Sequence, residues 1–127
     1  MRVERPPQLW EARAEDTTLV PLLGEMIAWR LSLGAPLADL TLNASNVVVQ
    51  ADDFEGDQRP EPGEYVALTV MGEGAPVNDA VWSPDRPAPG GVLKRLAERL
   101  VGAGARYAYT RSFDGKGTIT VFLSRKA

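Results

Sequence analysis

Apolar residues recur at helical spacing in the first third of the chain. The stripe consists of Leu19, Leu22, Leu23, Met26, Ile27 and Leu33, and the charged Arg30 falls at the same spacing. This spacing predicts a helix from Thr18 to Leu33 with one face toward a core. Thr18 or Asp16 is placed to cap its start, and Pro21 falls in the first turn, where a missing N–H costs little. Gly34 supplies a left-handed stop at the far end.

Alternating and β-branched patterns predict the strands. Leu37 to Gln50 alternates and then becomes a β-branched run, which is typical of one strand, or of two with a kink between them. Tyr65 to Val70 alternates as well. Arg106 to Phe113 and Thr118 to Leu123 predict a hairpin, because the Asp-Gly pair at 114–115 accepts a positive φ.

The remaining segments predict a second helix and two irregular stretches. An apolar stripe from Val92 to Leu100 predicts a helix from Gly91 to Val101. Ala51 to Gly63 is polar and rich in Asp, Glu, Pro and Gly, which predicts a surface loop. Val77 to Gly90 contains three prolines, so regular structure is not expected there.

The order of these elements predicts an α/β protein of the α+β kind. We expect a two-layer sandwich, in which a mixed β-sheet carries the helices on one face and leaves the opposite face relatively open. The 127 residues, 44% of them hydrophobic and 24% charged, fit one domain spanning residues 1–127.

Composition removes several kinds of chemistry. With no cysteine and no histidine, the chain has no thiol nucleophile, disulfide, Cys/His zinc site or Ser-His-Asp triad. A net charge of -3 argues against nucleic acid as a partner. No apolar run reaches the roughly 18 residues that cross a bilayer, and the first residues lack a signal-peptide core. We therefore expect a cytoplasmic protein with no membrane partner.

Three stretches resemble the catalytic ATP-binding domain of histidine kinases, the GHKL type of ATPase. EPGEYVALTVMGEG, from Glu61 to Gly74, is similar to its core strand and first glycine box. ARAEDTTLVPLLGEM, from Ala12 to Met26, looks like its opening strand, turn and helix, and GKGTITVFL, from Gly115 to Leu123, looks like its last strand. The resemblance implies the same Bergerat-like two-layer fold, and a role in bacterial two-component signalling.

Several positions that hold nucleotide in that family are replaced here. Trp29 stands where an asparagine holds magnesium, and an indole offers no oxygen ligand. Gly72 stands where an aspartate reads adenine, unless Glu73 supplies that carboxylate in a shifted alignment. The nucleotide pocket that the resemblance implies lies at Glu25, Trp29, Gly72, Gly74, Gly91 and Thr118. Without the resemblance, Glu25 is a solvated helix residue and the glycines are turn residues.

Resemblance and replacements together imply a non-catalytic pseudo-ATPase, a pseudokinase without catalytic residues, metal or cofactor, that binds a signalling protein. Each lost hydrogen-bond partner costs a buried ligand group about 1 to 3 kcal/mol. The alternative is a domain that still binds ATP or ADP with magnesium and serves a kinase or a nucleotide switch, so enzyme activity is left open. A third reading is an unrelated two-layer domain with a scaffolding role.

Val81 and Trp82 are the candidate partner-binding residues. They lie in the proline-punctuated segment from Val77 to Gly91, which is too irregular to be expected in the core, and an exposed tryptophan is a frequent binding anchor. The alternative is that Trp82 folds back over the vacated nucleotide pocket. The oligomeric state is left open, with a homodimer as one arrangement.

Overall fold

The structure is a computed structural model, and it describes residues 1–53, 60–74, 77, 79–83, 94–113 and 115–126. Its elements in chain order are β1 (Arg2–Glu4), α1 (Asp16–Ser32), a short 3₁₀ helix (Leu37–Asp39), β2 (Thr41–Val49), β3 (Gly63–Gly72), β4 (Ala80–Trp82), α2 (Lys94–Gly102), β5 (Tyr107–Phe113) and β6 (Lys116–Ser124).

The six strands of the described residues form one mixed sheet. Their spatial order is β1-β2-β3-β6-β5-β4. β1 pairs with β2 in parallel, and the other four pairs are antiparallel. With two helices beside this open sheet, the predicted α+β class with a mixed sheet is confirmed.

Both helices pack on the same face of the sheet. Leu22 and Met26 of α1 are buried together with Leu96 and Leu100 of α2. The sheet contributes Val66, Leu68, Val70, Ile119, Val121 and Leu123 to the same cluster. These are alternate residues of β3 and β6, as expected for strands whose side chains point to opposite faces in turn. We call this cluster the helix-side core, and its composition confirms that the helices lie on one face.

The opposite face of the sheet carries a smaller apolar cluster of Val49, Tyr65, Ala67, Tyr107 and Phe122. Tyr65 meets Phe122 edge-on, with ring centroids 5.8 Å apart, and Tyr107 lies 5.7 Å from the same ring. None of the five residues is more than 6% exposed. Neither helix of the described residues covers this face, and aromatic rings of the sheet itself pack on one another at its centre.

α1 begins two residues before its predicted start and ends one residue before its predicted end. The predicted caps are wrong, because Asp16 and Thr18 lie inside the helix and Glu15, the residue before it, makes no side-chain capping bond. The N–H and the hydroxyl of Thr18 both donate to the Glu15 carbonyl instead. Gly34 has a φ of 95°, so the left-handed stop is confirmed.

Three further predictions concern strand pairing. β2 is a single continuous strand that pairs with β3 along its whole length, so the kinked alternative is wrong. The β5–β6 hairpin is confirmed: Phe113 pairs with Lys116, and Gly115 has a φ of 78°. Asp114 lies outside the described residues. The strand that the resemblance implies before α1 is reduced to one bridge, between Ala12 and Arg125.

Two predicted segments fall partly outside the described residues. α2 is described from Lys94 onward and ends at Gly102, close to the predicted end, while residues 91–93 are not described. The predicted loop from Ala51 to Gly63 is described only at its two ends, and Gly63 is already part of β3.

The chain between β1 and α1 is tied to the sheet by the side chain of Asn46 in β2. Its Oδ1 accepts a 2.8 Å hydrogen bond from the Trp10 N–H. Its Nδ2 donates a 2.9 Å hydrogen bond to the Gln8 carbonyl. We call residues 8–13 the N-terminal strap; Leu9 and Trp10 pack against the helix-side core from it.

Candidate functional site

The guanidinium of Arg30 occupies the space between the end of α1 and the sheet. Arg30 has 0% exposure, and its Nε donates a 3.1 Å hydrogen bond to the Gly72 carbonyl. Burial lowers the pKa of Arg30 from its ordinary value, yet a guanidinium keeps its proton in proteins. A permanent positive charge is therefore enclosed between the two layers.

Two paired glycines border this side chain. Gly72 on β3 is opposite Gly117 on β6. A Cβ at position 117 would lie 2.6 Å from the Arg30 Cζ, and a Cβ at position 72 would lie 2.5 Å from the Leu40 Cδ2. Real Cβ atoms do not approach other atoms so closely. Both glycines are thus explained by close packing between the layers.

Gly74 lies just beyond β3, against the end of α1. Its φ is 142°, a value that favours glycine. A Cβ there would lie 2.9 Å from the Ala35 N and 3.1 Å from the Arg30 Nη2. The stretch that resembles the first glycine box is therefore a turn packed closely on the helix end.

The two predicted pocket positions on α1 are both half-buried. Trp29 packs against the helix-side core, and the Arg30 Cζ lies 5.9 Å from its ring centroid. Glu25 is half-buried one helical turn earlier. Trp29 thus acts as a packed aromatic residue beside the Arg30 guanidinium.

Thr118 does not face the same space as the other predicted positions. Its hydroxyl donates a 3.1 Å hydrogen bond to the Arg111 carbonyl. Because side chains alternate along β6 and Ile119 faces the helices, Thr118 faces the opposite side of the sheet. Gly117 is the residue of this strand that borders Arg30. Gly91, the remaining predicted position, lies outside the described residues.

Sequence reasoning did not single out Arg30 as a site residue, although a signal was present. Arg30 belongs to the apolar stripe that predicts α1, at a position that faces the core. A charged residue in such a stripe must be buried or must bend away from the core, and burial of a charge requires polar contacts. The stripe alone does not show that the guanidinium reaches Gly72.

Trp82 is buried, with 3% exposure, and belongs to the helix-side core. The expectation that its segment is irregular and lies outside the core is therefore wrong for Ala80–Trp82, which forms β4 and pairs with β5. Burial of a large aromatic side chain is the physical reason. Val81 packs against the cluster on the opposite face.

Two surface concavities lie away from the predicted pocket positions. One, of about 530 Å³, is lined by Glu4 to Pro6 and Asn43 to Asn46. The other, of about 610 Å³, lies between the chain before α1 and the end of α2. Within the described part of the chain, we find no group of three acidic side chains that could hold a metal ion. In that same part, the helices are too short or too polar to cross a membrane.

No protein-family model matches this chain, and no curated protein matches it either. The likeness to histidine-kinase ATPase domains therefore rests on the sequence motifs from Ala12 to Met26, Glu61 to Gly74 and Gly115 to Leu123.

Proposed function

We propose that this protein is a non-catalytic domain of the histidine-kinase ATPase type, which excludes nucleotide and acts by binding a protein in bacterial signalling. The position of Arg30 carries the proposal. Its guanidinium is bonded to Gly72, the residue that stands where the family's aspartate reads adenine. A base placed beside Gly72 would therefore meet side chains of the protein itself, with Arg30 at the Gly72 carbonyl and Leu40 where a Cβ of residue 72 would lie.

A nucleotide at this position would have to displace Arg30. Displacement breaks a hydrogen bond from a charged donor, which contributes about 1.5 to 3 kcal/mol. It also disturbs the packing around Gly74 and Gly117, where little free space remains beside the guanidinium. The affinity of any nucleotide is reduced by this free energy before it makes a contact of its own.

Magnesium would lose its family ligand as well. Trp29 takes the position of the asparagine, and its half-buried indole supplies no oxygen. With no histidine in the chain, the imidazole that most often serves as a general base is missing too. These replacements affect nucleotide and metal binding. They leave the domain able to bind another protein.

Calorimetric titration with magnesium-ATP and with ADP tests the proposal. We expect no saturable heat at millimolar nucleotide and no rise in melting temperature. Saturable ATP binding in the micromolar range, displaced by ADP, would support the alternative of a nucleotide switch. The partner is tested by cross-linking a tagged chain in bacterial cells. An unrelated domain of equal size is the control. If the tagged chain captures no more signalling protein than this control, the proposal that it binds a signalling protein is contradicted.

A further inference from the structure

The outer face of α1, which points away from the sheet, lacks charge. Its exposed residues in the middle of the helix are Val20, Gly24, Ala28 and Leu31. We call these four residues the α1 face. Val20 is 67% exposed and Leu31 39% exposed. Of the two charged residues between positions 19 and 31, Arg30 is buried and Glu25 lies at one side.

α2 offers a comparison within the same layer. It packs on the same face of the sheet through Leu96 and Leu100, and it exposes Glu98 and Arg99 next to Val101. That is the ordinary pattern of an amphipathic surface helix. α1 is apolar on both sides, a pattern typical of helices that are covered on both sides. The middle of α1 therefore lacks the charged outer face that α2 has.

The order of large and small residues makes the α1 face complementary to itself. Gly24 and Ala28 lie at its centre, and a Cβ at Gly24 would meet nothing within 4 Å. Val20 and Leu31 lie on either side of them. Two antiparallel α1 helices can cross at the point midway between Gly24 and Ala28. Gly24 of one copy then lies opposite Ala28 of the other, and Val20 lies near Leu31 of the second copy.

Other occupants fit the charge of this face less well. Membrane-surface helices and nucleic-acid-binding surfaces place Lys or Arg beside the contact. Here the charged side chains at the border are the carboxylates of Asp16 and Glu25, in a chain of net charge -3. A charged peptide would bury its charges without partners. The α1 face of a second copy carries no charge, so it neither needs basic residues beside the contact nor buries an unpaired charge.

We propose that the α1 face is a homodimer interface, in which the α1 helices of two copies pack antiparallel about a twofold axis. From Val20 to Leu31 the face is about 17 Å long at a rise of 1.5 Å per residue. A single helix face of this length buries less surface than the about 800 Å² per partner that is typical of a stable interface. The dimer is therefore weak and depends on protein concentration.

Sedimentation velocity over micromolar to millimolar concentrations of the whole chain tests this interface. We expect a reversible monomer–dimer equilibrium. Ala28→Glu places a carboxylate at the centre of the face and should raise the dissociation constant at least about tenfold. It should leave the melting temperature unchanged, because Ala28 is exposed. Val101→Glu is the matched control: Val101 is 62% exposed on α2, and this change should leave the dissociation constant unaltered.

Disulfide trapping tests the antiparallel geometry, since the natural chain contains no cysteine. A mixture of the Gly24→Cys and Ala28→Cys variants should form a covalent dimer faster than a mixture of Ala28→Cys with Val101→Cys. A monomer at all concentrations would overturn the proposal, and so would a wild-type dissociation constant for Ala28→Glu. Equal weakening by Ala28→Glu and Val101→Glu would indicate unspecific apolar association and would overturn it too.

Discussion

Arg30 on α1 and Gly117 on β6 are packed so closely that a Cβ at residue 117 would lie 2.6 Å from the Arg30 Cζ. The guanidinium cannot easily move aside, because it is enclosed and its Nε is bonded to the Gly72 carbonyl. One buried charged side chain therefore explains a glycine on a strand far away in the sequence.

Gly117→Ala should lower the free energy of unfolding by about 1 to 3 kcal/mol, the usual cost of overpacking. Arg30→Met removes the guanidinium and keeps most of the stem, so it should recover much of this loss when the two changes are combined. Urea denaturation of both single variants and the double variant measures the coupling. If the changes in the free energy of unfolding are strictly additive, the Arg30 side chain and residue 117 are not in contact in solution.

Restoring two family side chains should not restore nucleotide binding. In the double variant Trp29→Asn with Gly72→Asp, the Arg30 Nε still holds the carbonyl of residue 72. The new Cβ also overlaps Leu40, whose Cδ2 would be 2.5 Å away. We expect reduced stability and no saturable heat on titration with magnesium-ATP. Binding of ATP in the micromolar range would mean that the adenine base displaces Arg30.

The sequence predicts where α1 lies and that Arg30 faces the core, because helical periodicity follows from backbone geometry. The final position of the guanidinium depends on strands that come much later in the chain, so the stripe alone cannot show it. The pairing of Gly72 with Gly117, which creates the space for Arg30, is a long-range contact of this kind.

Strand periodicity explains two further differences. Thr118 lies in a strand of the expected position, but the side-chain period of two makes its neighbour Gly117 face the helices. Trp82 lies in a strand of only three residues among prolines, too short for an alternation signal. Its strand conformation depends on pairing with β5, which local sequence does not show.

Trp82→Ala should lower the free energy of unfolding by about 3 to 5 kcal/mol, as for other buried large aromatic residues. The reason is its 3% exposure within the helix-side core. Chemical denaturation measures this loss, and Val81→Ala, a change at the half-buried neighbour, should cost less. A stability unchanged by Trp82→Ala would place the indole outside the core and return it to the candidates for partner binding.

Stability should fall at alkaline pH because of two buried tyrosines. Burial raises the pKa of Tyr65 and of Tyr107 in the native state. Their contribution to stability is complete below the unfolded-state pKa of about 10 and is lost as the pH rises through the higher native value. Urea denaturation from neutral to alkaline pH should therefore show a decline that Tyr65→Phe and Tyr107→Phe each reduce. An unchanged decline in the double variant would assign it to other groups.

Asn46→Ala should detach the N-terminal strap and lower the free energy of unfolding by about 1 to 2 kcal/mol. This change removes the acceptor for the Trp10 N–H and the donor for the Gln8 carbonyl. Asn46→Asp keeps the acceptor and loses the donor, so its stability should lie between those of Asn46→Ala and the natural chain. Trypsin cleavage at Arg13 gives a local readout, and it should accelerate in the same order. Equal cleavage rates in all three proteins would mean that packing of Leu9 and Trp10, rather than Asn46, holds the strap.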